Sequence, residues 1–171
     1  MRRRVIGVGI VSAAAVSVFT LVLGPATIVG DSMAPALADG AVVLVDRISH
    51  RLGAESGREA VAGDVVIVRS PSDPGVMLAK RVAGVGGDRV AFDAFGRISV
   101  NGRPAPPSTA MPDEGGAACQ TVMVPRGCYF VVGDNRISST DSRDFGPVGA
   151  DAIAGRVRAV VWPPVRVCPV R

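Results

Sequence analysis

The sequence predicts a mostly β protein behind one N-terminal transmembrane helix. Three observations carry that prediction. The chain is 48% hydrophobic but only 4% aromatic, with 21 Gly and 13 Pro, a mix that suits short strands joined by turns better than packed helices. Beyond residue 24 the apolar residues come in short β-branched runs bounded by Gly and Asp, with no helical period and no internal repeat. The run before that point is different, because it is long and uncharged.

"MRRR" precedes "VIGVGIVSAAAVSVFTLVLG", which carries no charge from Val5 to Gly24. That is about the 20 residues an α-helix needs to cross a hydrocarbon core. Three arginines before it and Asp31 after it place the N-terminus in the cytoplasm and the remainder outside. A cleavable signal peptide is the alternative, but its apolar core usually spans only about 7 to 15 residues. Small residues that could mark a cleavage site, around "GPA", run straight into a segment with chemistry of its own. The expectation is a retained anchor over 1–24, in contact with the lipid bilayer, and an extracytoplasmic β-rich domain over 25–171.

The elements follow in order. "GPATIVGDSMAPALADG" reads as an extended segment, a Ser-bearing turn and a second turn at "ADG". "AVVLVD" and "GDVVIVRS" are strand candidates, and the polar "RISHRLGAESGREAVA" between them reads as loop. "GVMLAKRVAGV" is a longer apolar strand with Lys80 at its centre. "DRVAFDAFGRISVNG" has the turn signals of a hairpin, and "NGRPAPPSTAMPDEGGAA" is Pro/Gly-rich loop, so 86–127 reads as a hairpin-and-loop insertion. "GCYFVVGDNR" is a strand entering the polar cluster "ISSTDSRDFGPVG", and "AIAGRVRAVVWPP" is a last strand ended by proline.

A formal charge of +4 raises nucleic acid as a partner. The arginines, however, alternate with Asp and Glu, and the few aromatics form no stacking platform, so no nucleic-acid partner is expected. Three widely spaced cysteines and one histidine match no metal-ligand pattern, and no cofactor is implied. Outside the membrane a disulfide is permitted. Cys119 and Cys128 flank a turn-like segment and are the candidate pair, leaving Cys168 over.

Lys80 is the sole lysine; every other basic side chain among the 19 Lys and Arg is arginine. An ammonium can lose its proton when desolvated, whereas a guanidinium keeps it. Met77, Leu78, Ala79 and Val82 are the apolar neighbours that lower a lysine pKa. A serine hydroxyl becomes a nucleophile when a neighbour takes its proton, and Ser32 stands in a turn just past the apolar run. The bare alternatives are a solvent-facing strand lysine and, for Gly133 to Gly146, a solvated turn rich in Asx hydrogen bonds.

Taken together and in this order, the apolar N-terminus, "GDSMAPAL", "GDVVIV", "AKRVAGVGGD" and "GDNRISSTDSR" resemble the type I signal peptidase family of membrane-anchored Ser–Lys endopeptidases. The resemblance covers most of the chain. It implies a signal-peptidase-like antiparallel β-sheet catalytic domain, with Ser32 as nucleophile and Lys80 as general base. It implies that Ser139 hydrogen-bonds the lysine, that Asp134, Arg136, Asp141 and Arg143 form a polar support, and that Arg81 is the basic neighbour of Lys80. Signal peptides of exported preproteins, cut after small residues of the Ala-X-Ala type, are the implied substrates. Extended substrate residues would add to the strands near Ile28–Asp31 and Met77–Lys80. Ile28, Gly30, Met33, Leu37, Leu78 and Ala79 are the candidate substrate contacts.

The sequence departs from the family pattern at Ala36, at Gly86 and at Ile137-Ser138. Gly30 stands where some relatives carry a serine whose hydroxyl helps hold the oxyanion, which leaves the Ser32 N–H as the nameable donor. Three rivals stay beside this expectation. One is a Ser–His–Asp hydrolase using His50, the only histidine. Another is a Ser–Lys maturation protease with one dedicated exported client. The last is a non-catalytic membrane-anchored β binding protein.

Overall fold

The β-branched and aromatic runs "VVLVD", "VVIVR" and "CYFVV" form strands. The computed structural model describes residues 22–48, 60–105 and 119–163. In chain order these contain β1 (Leu23–Thr27), β2 (Val42–Asp46), β3 (Val65–Arg69), β4 (Met77–Val85), β5 (Arg89–Phe92), β6 (Ile98–Val100), β7 (Arg103–Pro104), β8 (Gln120–Met123) and β9 (Cys128–Val132). A short helix α1 (Ser142–Phe145), β10 (Val148–Gly149), a 3-10 turn (Ala150–Ala152) and the long β11 (Ile153–Trp162) complete them. The strands form a seven-stranded sheet, β1-β2-β11-β3-β4-β9-β10, and a four-stranded sheet, β7-β6-β5-β8. Every pairing is antiparallel. The mostly β prediction holds.

The centre of the large sheet is buried on both faces. Val65 of β3 packs into one apolar cluster with Ile28, Met33, Leu37, Val43 and Val157. Its neighbours Val66 and Val68 pack into another with Val82, Tyr129, Val131 and Ile153. Such strands read as continuous apolar runs because neither face meets water, which is how "VVIV" appears. In β11 the register slips between Val157 and Ala159. One extra residue reverses the side-chain alternation, so Val157 and Val160 are both buried. A third cluster joins the sheets, with Ala83, Phe130 and Val132 from the large sheet meeting Val90, Phe92 and Ile98 from the small one.

Three expectations are corrected, and one falls outside the described residues. β1 takes Leu23 and Gly24, which the sequence assigns to the apolar run, because both residues pair with β2 (Leu23 with Asp46, Gly24 with Val45). Among the described residues no helix is long and apolar enough to cross a membrane, and the expected span before Val22 lies outside them. Cys119 and Cys128 are both free thiols. Their segments do not form a hairpin: β8 pairs with β5 of the small sheet, while Cys128 opens β9 in the large one. Finally, the polar cluster expected to be irregular contains α1. Four residues are too few for a helical period, and its signal is the cap described below. His50, Cys168 and most of the two polar loops lie outside the described residues.

Candidate active site

Lys80 sits in the middle of β4, opposite Val66 of β3. Lys80 is only 2% exposed, among the largest fully buried side chains of the described residues. A buried ammonium needs a partner, and Nζ donates to Ser139 Oγ at 3.0 Å. Ser139 Oγ in turn donates to Asp141 Oδ2 at 2.8 Å. Burial holds the Lys80 pKa below the ordinary 10.5; Asp141 and Asp144 pull it up and Arg143 pushes it down. Desolvation outweighs the two carboxylates, so the shift is toward the neutral amine.

Asp141 is the hub of the support. It is fully buried, and its carboxylate also accepts the Gly133 N–H at 2.9 Å. Arg143 forks onto it through Nε at 2.8 Å and Nη2 at 2.9 Å. Burial alone would raise the Asp141 pKa, but these bonds and the Arg143 charge hold it below the ordinary carboxylate value. The same pairing raises Arg143 above the ordinary guanidinium value. Arg143 Nη2 also donates to the Arg136 carbonyl at 2.7 Å, tying down the loop tip. The Arg136 guanidinium, desolvated and beside Arg143, is lowered to about 10.

Arg81, the next residue on β4, turns to the other side of this loop. Its Nε and Nη2 bond Asp134 at 2.8 and 2.7 Å, and Nη1 donates to the Gly63 carbonyl at 2.7 Å. Both side chains are nearly inaccessible, at 8% and 1%. Two planar forks therefore clamp the segment from Asp134 to Arg143 at its two ends.

Ser32 is half-buried in the turn after β1. Its carbonyl accepts the Asn135 N–H at 3.1 Å, which fastens the serine turn to the same loop. A Cβ built on Gly133 would collide with both Ser139 Oγ and the Ser32 carbonyl oxygen. Only glycine leaves room for both groups at this point. Ser139 thus touches the Lys80 amine and lies beside the Ser32 main chain.

The expected substrate contacts divide. Leu78 and Ala79 are half-buried and keep surface on β4. Met33 and Leu37, at 0% and 1% exposed, and Ile28 at 6%, are core residues beneath the serine turn. A substrate side chain needs accessible surface, so these three support the turn from within instead of lining a pocket. Gly30 has φ +88°, a conformation that favours glycine, and its N–H is held by Asp39 Oδ1 at 2.7 Å. That N–H is already committed.

Three contributors are missing from the sequence-based set. Gly133 is one. Asp144 is another, since it closes a capping box with Asp141 at the start of α1; the D-x-x-D spacing resembles the known capping pattern. Ser142 is the third: it is 2% exposed and accepts the Val131 N–H at 2.9 Å.

A family model described as signal peptidase, peptidase S26, matches residues 1–162. The chain belongs to the S26 signal peptidase family. Among S26 relatives, a mitochondrial ATP-independent inner membrane protease subunit 1a from Arabidopsis thaliana is 40% identical over 136 residues, 79% of this chain and 68% of the relative. Signal peptidase IB of Staphylococcus aureus is 32% identical over 176 residues, 90% of this chain and 88% of the relative. A solved signal peptidase I from Enterococcus faecalis is 30% identical, with a TM-score of 0.43, covering 56% of this chain and 94% of that one.

Proposed function

We propose that this S26 member is a serine endopeptidase with a Ser32–Lys80 dyad that removes signal peptides from exported preproteins after small residues. The observation that carries the proposal is the burial of the Lys80 amine against Ser139, whose other neighbour across Gly133 is the Ser32 main chain. In this mechanism neutral Lys80 takes the Ser32 hydroxyl proton as Oγ attacks the scissile carbonyl. It returns that proton to the leaving amine, and water then releases the acyl group from Ser32. The Ser32 N–H is the proposed oxyanion donor.

The backbone of β4 supports the mode of substrate binding. β3 covers one edge of β4 from Met77 to Arg81, whereas β9 pairs on the other edge only from Arg81 onward. Val82 N–H and C=O both bond towards the β3 side, to Asp64 and Gly63. Strand alternation then aims the backbone polar groups of Met77 and Ala79 at the edge that β9 leaves uncovered. An extended peptide added there gains main-chain hydrogen bonds beside Lys80. The uncharged run before β1 would hold the site at the membrane, with the N-terminus cytoplasmic and the catalytic domain extracytoplasmic.

A second reading of the same chemistry is a maturation protease with one dedicated exported client. Cleavage of Ala-X-Ala peptides by wild type, Ser32→Ala and Lys80→Met tests the dyad. Survival of cleavage in either variant contradicts it. A survey of the exported proteins that stay uncleaved on depletion separates general from dedicated processing.

A further inference from the structure

We propose that the β5–β6 turn of the small sheet, Asp93–Arg97, is a positioning element for catalysis, acting through Gly96 on Arg143. The inference rests on the Ser32–Lys80 proposal and extends it to a part of the chain that carries no catalytic group.

The turn is rigid. Asp93 is 6% exposed. Its Oδ1 accepts the N–H groups of Phe95 at 2.9 Å and Arg97 at 3.1 Å, and its Oδ2 takes Arg97 Nε at 2.6 Å. Gly96 N–H closes onto the Asp93 carbonyl at 3.0 Å. The turn is also anchored, since the adjoining Phe92 packs against Phe130 of β9 in a tilted pair with ring centres 5.7 Å apart.

This fixed turn abuts the catalytic support. A methyl built on Gly96 would lie 2.8 Å from Arg136 Cβ and 2.9 Å from Arg143 Nη1. The other nitrogens of that guanidinium are already committed, Nε and Nη2 to Asp141 and Nη2 also to the Arg136 carbonyl. Arg143 is therefore held between the small sheet behind it and Asp141 in front. A groove of about 430 Å³ shares its walls between the turn (Phe92, Asp93) and the loop (Arg136, Ser139, Arg143). Moving the turn outward loosens Arg143, then Asp141, then the Ser139 hydroxyl that orients Lys80.

The sequence supplies a matched control. Gly102, in the β6–β7 turn of the same sheet, has the same φ of +75° as Gly96, but a Cβ there meets nothing within 4 Å. Gly96→Ala and Gly102→Ala carry the same backbone strain, and only the first presses on Arg143. The charged groups that act on Lys80 are Asp141, Asp144 and Arg143, and Arg143 is the one that lowers its pKa. Displacing Arg143 should therefore move the rising limb of the pH–rate profile to higher pH.

The test uses the full chain in detergent micelles with an Ala-X-Ala peptide, recording kcat, KM, pH profile and melting curve. Gly96→Ala should lose on the order of tenfold to a hundredfold in kcat with little change in KM, and its profile should shift to higher pH. Gly102→Ala, which carries the backbone strain without the contact, should keep the wild-type kcat and profile, the melting curves showing that both variants are folded at the assay temperature. Equal kcat and equal midpoints in the two variants overturn the inference. If Gly96→Ala fails to fold, Asp93→Asn, which loosens the turn without adding volume, should lower kcat in the same direction; a wild-type kcat there overturns it. Lys80→Met is run alongside: activity surviving that change sinks the dyad itself, a separate failure.

Discussion

Lys80 Nζ donates to Ser139 Oγ at 3.0 Å, and the direction of that bond is set by Ser139's own proton, which goes to Asp141 Oδ2 at 2.8 Å. A hydroxyl has one proton to give. With that proton held by a carboxylate, Ser139 can only accept from the lysine. A neutral amine has two hydrogens and one lone pair, so in the proposed dyad the lone pair is the part left to take the Ser32 hydroxyl proton. Ser139→Ala removes this orientation, and kcat should fall on the order of a hundredfold with KM nearly unchanged. Steady-state kinetics on an Ala-X-Ala peptide measures the split.

Asp141 and Arg143 should move the pH profile in opposite directions. A carboxylate beside the amine stabilises its charged form, so Asp141→Asn lowers the Lys80 pKa and shifts the rising limb of kcat/KM to lower pH. Arg143 destabilises the charged form, so Arg143→Gln shifts the limb to higher pH. Both variants lose rate through lost orientation. Shifts of one common sign would contradict the electrostatic part of the explanation.

Lys80→Met and Lys80→Arg should both lose at least about 10⁴-fold in kcat, because neither side chain accepts a proton near neutral pH. Stability should move the other way for methionine. The folded pKa of Lys80 is lowered, so protonation below it costs the native state, and wild-type stability should rise with pH between that value and 10.5. Lys80→Met removes this slope and should raise the melting temperature at neutral pH. Thermal melts across pH check the sign.

Breaking the Arg81–Asp134 fork leaves a charge buried without its partner. Arg81→Ala or Asp134→Ala should cost about 3–5 kcal/mol, and Arg81→Lys should not rescue it, because an ammonium cannot make the double fork to Asp134 and also reach the Gly63 carbonyl. Denaturant unfolding measures the cost.

Gly133→Ala places a methyl between Ser139 and the Ser32 carbonyl. Activity should fall at least about a hundredfold, and the Asn135–Ser32 bond that ties the two loops should weaken. Peptide cleavage and amide exchange at Asn135 report the two effects separately.

Much of this was legible in the chain because local composition and burial agree. "VVIV" and "YFVV" read as strands and form them, and one lysine among so many arginines singles out the side chain that the fold buries against Ser139. What stayed hidden depends on contacts made across the fold. Nothing local distinguishes Gly133, which lets two serines meet, from a turn glycine. Met33 and Leu37 look like pocket residues beside Ser32 until the large sheet covers them. Cys119 and Cys128 are near in sequence, yet β8 and β9 belong to different sheets. Register and sheet membership decide such cases, and neither is written in a short window.

Because Lys80 is the only lysine, chain labelled with ¹³C at lysine Cε gives one signal that reports one amine. Its titration in micelles is the most direct measurement. The expected result is a midpoint below 10.5 in wild type. A midpoint at or above that value would leave an ammonium where the mechanism requires a base.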